Sequence, residues 1–157
     1  MRREYSRIGI VLKGAPTHEN DKARSLPSLS VLDPLFAHQE VEFYSLQNGA
    51  PAYARRLANF HDVGAAVQSM METACAIDAM DLVLTVDASV AHVAAAMGKP
   101  TWLLLPAFAD WRWHFVREDS PWYPSMKLFR RQFSGDWAEV VARVNGQLLG
   151  LVGDFGR

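Results

Sequence analysis

Four short runs rich in apolar and β-branched residues, at positions 7–12, 41–46, 82–86 and 101–105, are separated by stretches carrying Ala or Leu at helical spacing. No other feature constrains the fold as strongly. Each run closes near a Gly, Pro, Asn or Asp, and weaker strand patterns stand at 60–63 and 126–129. Helical patterns occupy 28–36, 52–59, 66–80, 90–97 and 137–149. Alternating strands and helices build βαβ units. The near-continuous apolar character of Leu82-Val83-Leu84-Thr85-Val86 and Leu103-Leu104-Leu105 is that of strands covered on both faces. The pattern predicts an α/β, Rossmann-like three-layer sandwich around a mostly parallel, doubly wound sheet.

A chain of 157 residues predicts one domain over 1–157, and 50% apolar with 21% charged residues excludes a disordered, collagen-like or coiled-coil chain. Such a domain buries about 70% of the surface its unfolded chain exposes, so neither a disulfide nor a structural metal is required. The single cysteine, Cys75, lies in a helical pattern and is expected to be buried and inert. Sixteen Lys+Arg against 17 Asp+Glu give a net charge of -1, without the basic footprint of a nucleic-acid binder. Apolar runs such as 101–109 fall short of the roughly 20 residues of a membrane span. After Met1-Arg2-Arg3-Glu4-Tyr5 the apolar segment 8–12 is too short for a secretory signal, so a cytoplasmic location is the expectation.

Open parallel sheets bind ligands at the carboxyl ends of their strands, which directs attention to the residues following each run. In Val86-Asp87-Ala88-Ser89-Val90-Ala91-His92 a strand ends at an acid, turns through small residues and enters an Ala-rich helix that Gly98 and Pro100 close. Backbone N–H groups at Ser89, Val90 and Ala91, with the positive end of the helix dipole, form a ready site for phosphate. Ser89 and His92, three apart, share one helical face. In the competing reading, Asp87 or Ser89 only caps the helix while His92 packs between helix and sheet.

The loop after the first strand is longer than the usual ~4–6 residues. Gly14 in it lets backbone approach a ligand, and Lys13, Lys22 and Arg24 offer positive charge to a diphosphate. Equally, it reads as a solvated loop with its charges paired at the surface. Downstream, Phe108-Ala109-Asp110-Trp111-Arg112-Trp113 and Asp119-Ser120-Pro121-Trp122-Tyr123-Pro124 hold three of the five tryptophans. Trp111 and Arg112 fit a pocket wall or a partner surface, whereas Trp122 and Tyr123, between two prolines, fit a small satellite core. Histidines at 18, 38, 61, 92 and 114 have no metal-ligand spacing, and no nucleophile elbow, Walker A or dinucleotide fingerprint is present.

Together these segments resemble the carboxyl-terminal half of GT-B glycosyltransferases of the heptosyltransferase type (family 9), notably the glycosyltransferase-like domains that follow tetratricopeptide repeats in some bacterial proteins. The resemblance is carried in order by residues 14–27, Phe43-Tyr44-Ser45-Leu46-Gln47, residues 82–100, Trp102-Leu103-Leu104-Leu105-Pro106, Asp110-Trp111-Arg112-Trp113 and Arg117-Glu118-Asp119-Ser120-Pro121-Trp122-Tyr123-Pro124. It implies a nucleotide-diphosphate sugar as ligand, with no cofactor and no metal. The segment from Asp87 through Ser89, Val90 and Ala91 to His92 matches the donor-phosphate turn, with Asp87 orienting it. Arg24, with Lys22, matches the basic contact to the diphosphate, and Gln47 stands where a nucleoside contact falls. Leu12, Lys13 and Ala15 depart from the family's first loop, and Ala88 replaces a common Thr, which removes a hydroxyl without touching main-chain contacts. GT-B enzymes place the acceptor, and usually the base, in a second domain of comparable size. The resemblance therefore implies a donor-binding half that is inactive alone and needs a partner for acceptor positioning. The alternative is a non-catalytic association module, a homodimer through its tryptophan-rich face.

Overall fold

The computed structural model describes residues 6–13, 25–47, 52–114 and 116–155. Six strands, β1 (Ser6–Val11), β2 (Val41–Ser45), β3 (Phe60–Asp62), β4 (Leu82–Val86), β5 (Thr101–Leu105) and β6 (Met126–Arg130), form one sheet in the order β3-β2-β1-β4-β5-β6. All five pairings are parallel. The four stronger strand expectations agree with the structure to within one residue, and both weaker ones are strands as well. Strand order reverses between β1 and β4, where Val11 pairs with Thr85. In an open parallel sheet that reversal opens a crevice beyond the strand ends.

Four α-helices are present among the described residues: α1 (Asp33–Phe36), α2 (Met70–Asp78), α3 (Ser89–Ala96) and α4 (Trp137–Phe155). On one face of the sheet, α4 lays Val140, Val141, Val144 and Leu148 against Ile8, Ile10, Phe43, Leu84 and Leu104, with Leu35 and Phe36 of α1 completing the layer. That spacing is the apolar stripe of a helix lying on a sheet. The opposite face receives Ile77 and Met80 against Val11 and Val83, and Ala91, Ala95 and Trp113 against Leu103 and Leu105. The alanines let α3 sit close. Each fully buried Leu, Ile, Val or Phe stabilises by roughly 1.5–3 kcal/mol. In β1, a Cβ on Gly9 would come within 2.9 Å of the Leu46 side chain, so glycine is what permits this contact.

Helical expectations needed three corrections. Residues 28–36 divide into a 3-10 helix, Leu29–Leu32, and the short α1, which has Pro34 in its first turn. Residues 52–59 form only a 3-10 turn, Ala54–Arg56. There Asn59 is buried, and its side-chain amide reaches the carbonyls of Phe36, His38 and Val41 at 3.2, 3.0 and 3.1 Å, a web that a continuous helix would pull apart. Residues 66–80 enter the helix only at Met70, because Ser69 and Glu72 form a capping box, each side chain accepting from the other's backbone N–H. The expected end of α3 is present, with Gly98 at φ 73° just past its last turn.

Cys75 is exposed, contrary to the expectation of burial. It precedes the buried Ile77 by two residues, which at about 100° per residue turns it toward solvent. The edge strand β3 has only three residues, and the outer edge of β6 is partly paired by an antiparallel bridge between Asp119 and Lys127.

Candidate functional site

The β1 and β4 ends flank the crevice. β4 stops at Val86, and the chain extends through Asp87 and Ala88 before entering α3 at Ser89. Ala88 is the N-cap and, among the described residues, no side chain caps the helix, so neither Asp87 nor Ser89 plays the capping role weighed from sequence. Ala91's amide donates to the Ala88 carbonyl at 3.0 Å, which removes it from the expected set of phosphate donors. No hydrogen bond engages the amides of Ser89 and Val90 among the described residues. An uncapped first turn with its dipole toward the crevice favours an anion.

His92 stands over this turn with its side chain 38% exposed, neither sealed inside nor free. Its Nδ1 lies 3.1 Å from the Tyr123 hydroxyl, its Nε2 lies 4.0 Å from Asp87 Oδ1, and its ring stacks on Trp113 with centroids 5.6 Å apart. Trp113 in turn donates its indole N–H to Asp87 Oδ2 at 3.1 Å. Asp87, His92, Tyr123 and Trp113 thus form one connected group. The expectation for His92 and Asp87 acquires two further members that sequence reasoning left out of the site. Trp113 belongs to the quoted Asp110-Trp111-Arg112-Trp113 motif, where its two neighbours had been singled out instead.

Gln47 lies past β2, and its side-chain carbonyl accepts from the backbone N–H of both Leu12 and Lys13, the latter at 3.1 Å. It brackets the end of β1. Gly14, Lys22 and Arg24, expected at the diphosphate, lie outside the described residues.

Trp111 is 69% exposed and Arg112 sits 5.0 Å over its ring while pairing with Asp110 at 2.8 Å. Trp122 is also exposed, which corrects its placement in a satellite core. Its indole N–H is tied outward to the Arg112 carbonyl at 3.2 Å and its ring meets Trp111 edge-on. Tyr123 does pack against that smaller core, whose centre is Trp113, 1% exposed. Among the described residues no group of His, Cys, Asp or Glu could hold a metal, and no helix is long and apolar enough to cross a membrane.

Beside the aromatic motif, Arg117 grips Asp119 through Nε and Nη2 at 2.8 and 2.9 Å. The hydrogen bond from Arg117 holds the Asp119 carboxyl below its ordinary range. A depressed carboxylate keeps its stabilising contribution above the unfolded-state value and loses it as pH falls through the folded one. An NMR titration is expected to show Asp119 protonating below a free aspartate, and Arg117→Gln is expected to return it to the ordinary range.

A family model described as glycosyltransferase family 9 (heptosyltransferase) matches residues 52–130, from before β3 through β6, which is half of the chain. The chain belongs to glycosyltransferase family 9. The fold agrees. Heptosyltransferase II of Escherichia coli, described as an ADP-heptose lipopolysaccharide enzyme, superposes with a TM-score of 0.66 at 17% identity, over 98% of this family 9 chain and 48% of that one. The E. coli heptosyltransferase WaaC solved with ADP gives 0.59 at 16% identity, over 90% and 43% of the two chains. WaaC with ADP-2-deoxy-2-fluoro heptose gives 0.59 at 16%, over 92% and 43%. This family 9 chain therefore spans about half the length of the solved structures it matches. No curated protein matches it in sequence.

Proposed function

We propose that this chain is the nucleotide-sugar donor-binding half of a family 9 glycosyltransferase. The observation that carries the reading is the uncapped start of α3 at the sheet's reversal point, with His92 held over it by Trp113 and Tyr123. The diphosphate rests on the Ser89 and Val90 amides, within reach of the His92 imidazole. The family resemblance assigns Gly14, Lys22 and Arg24 to the same diphosphate, and Gln47 offers its side-chain amide N–H donors toward the nucleoside. Trp111 and Arg112 wall the sugar side. Departure of the nucleoside diphosphate develops negative charge on the phosphate oxygens, which Arg24, Lys22 and the α3 dipole offset without a metal. Asp87, held by the Trp113 indole, keeps the turn and His92 in place. The acceptor and the base that deprotonates its hydroxyl come from a partner domain or polypeptide, so this half alone transfers little sugar.

Calorimetry with ADP, UDP and GDP sugars tests this, with ADP first because related structures were solved with ADP and with an ADP-heptose analogue. His92→Ala and Arg24→Ala are each expected to weaken binding roughly tenfold or more, the weight of one hydrogen bond to a charged group. Exposed Phe108, Trp111, Trp122 and Phe133 favour a second reading, an association module working as a homodimer. Absence of binding to any nucleotide, together with a concentration-dependent dimer, would select it.

A further inference from the structure

Among the described residues, Arg130 is a shielded cation without a counter-charge. It ends β6 and pairs in register with Leu105 at the end of β5, which puts it on the carboxyl side of the sheet, two strands from β4. Of its three guanidinium nitrogens, Nη2 donates to the Trp113 carbonyl at 2.8 Å. Nε and Nη1 are closed off from solvent and donate to nothing among the described residues. The residue as a whole is half-buried, so the group lies just beneath the surface. A guanidinium cannot shed its charge in a protein, and burial works against that charge, pulling the Arg130 pKa down.

Four acids on the adjoining segments are engaged elsewhere. Glu139 holds Arg143, Asp136 accepts from the Glu139 amide, Asp110 holds Arg112 and Asp119 holds Arg117. Arg131, next in the chain, also has a buried Nε without an acceptor and lies over the Trp137 ring. Holding one carbonyl takes one donor, and a neutral amide would serve. A permanent cation with unused donors suits an oxyanion.

The peptide that Arg130 grips is itself unusual. Trp113 is the residue whose indole binds Asp87 and stacks on His92, and the next residue, His114, has φ 57° and ψ -169°, a region that side chains other than glycine seldom occupy. Strain and the unpaired cation meet at one carbonyl, that of the residue whose indole binds Asp87 in the turn before α3.

We infer that Arg130 forms a second oxyanion subsite at the carboxyl end of β6, where a phosphate or carboxylate group that displaces the thin cover over this half-buried guanidinium meets its unused N–H donors. Two sources carry such a group: the phosphates of the nucleotide-sugar and an acidic group on the acceptor. Binding there does not require the nucleotide reading.

The test is an NMR titration of the full chain with inorganic phosphate, followed at the Arg130 Nε–H signal, in the wild type, His92→Ala and Arg130→Lys. Phosphate is expected to move the Arg130 signal saturably in the wild type and in His92→Ala. Arg130→Lys is expected to weaken the phosphate affinity of this corner roughly tenfold, followed there at the Trp113 indole N–H. An ADP titration then distinguishes the sources. ADP that moves the Arg130 signal and competes with phosphate marks a donor contact. ADP that binds without disturbing that signal, while malonate competes with phosphate at it, marks a contact to an acidic acceptor. A wild-type Arg130 signal unmoved by phosphate overturns the inference even if Arg130→Lys fails to fold, as does a folded Arg130→Lys with unchanged phosphate affinity. Failure of ADP to bind at all would instead overturn the nucleotide reading and leave the phosphate response of Arg130 in place.

Discussion

Trp113→Ala is expected to lower unfolding stability by about 3–5 kcal/mol and to abolish measurable nucleotide-diphosphate binding. The indole is among the largest fully buried side chains and packs among Ala91, Ala95, Leu103, Leu105, Met126 and Leu128. Its removal leaves a cavity that the short alanines of α3 cannot fill. The same ring also supports His92 and donates to Asp87. Trp113→Phe separates the two roles, because it retains most of the packing and an aromatic face for His92 while deleting the indole N–H. Its stability should fall by about 1–2 kcal/mol, with nucleotide affinity falling roughly tenfold. Urea unfolding and calorimetry on the two variants check both halves. Wild-type affinity in Trp113→Phe would show that the indole bond to Asp87 plays no part in ligand binding.

Asn59→Asp should be as damaging by another route, with a loss on the order of 3–5 kcal/mol at neutral pH. The amide Nδ2 faces three carbonyl oxygens, those of Phe36, His38 and Val41, and the residue is 3% exposed. A carboxylate there presents negative charge to three acceptors in a dry site. Both burial and repulsion disfavour ionisation, so the folded pKa of the introduced acid rises above its unfolded value of about 3.9. A group raised in this way leaves stability intact below its unfolded pKa and removes it as pH climbs toward the folded one. Unfolding midpoints of variant and wild type should therefore approach one another near pH ~4 and separate toward pH 7. A gap that does not change with pH would show that size or lost donors, rather than charge, explain the damage. Asn59→Ala, which removes the donor without adding charge, is expected to cost about 1–3 kcal/mol at either pH.

The sheet was legible because the physics that forms it is local. Apolar runs of strand length, bounded by turn residues, lie within one element each, and β4 and β5 match their expected bounds. Helices were less legible where tertiary contacts override periodicity. The run containing Ala54 and Leu57 has helical spacing, yet Asn59 ties that segment to the end of α1 and the start of β2, a contact spanning 18 to 23 residues. The delay of α2 to Met70 was readable in principle from Ser69 and Glu72, which stand at capping-box spacing.

At the candidate site, the strand-to-helix junction that carries Asp87, Ser89, Val90 and His92 was locatable from sequence alone. Trp113 and Tyr123 were not, because they reach Asp87 and His92 from 26 and 31 positions away. Which of three clustered tryptophans turns inward depends on the 3-10 turn Trp111–Trp113, and nothing in composition announces that turn.

The two lateral margins of the sheet bear on aggregation. Backbone groups on an unpaired strand invite another chain to add on, and proteins blunt this with short or covered margins. β3 offers only three residues, and along β6 the Leu128 amide already donates to the Glu118 carbonyl at 2.8 Å beside the Asp119–Lys127 bridge. Growth into fibres by strand addition is thereby discouraged at both ends, so self-assembly at high concentration should proceed through side-chain surfaces and stay reversible on dilution.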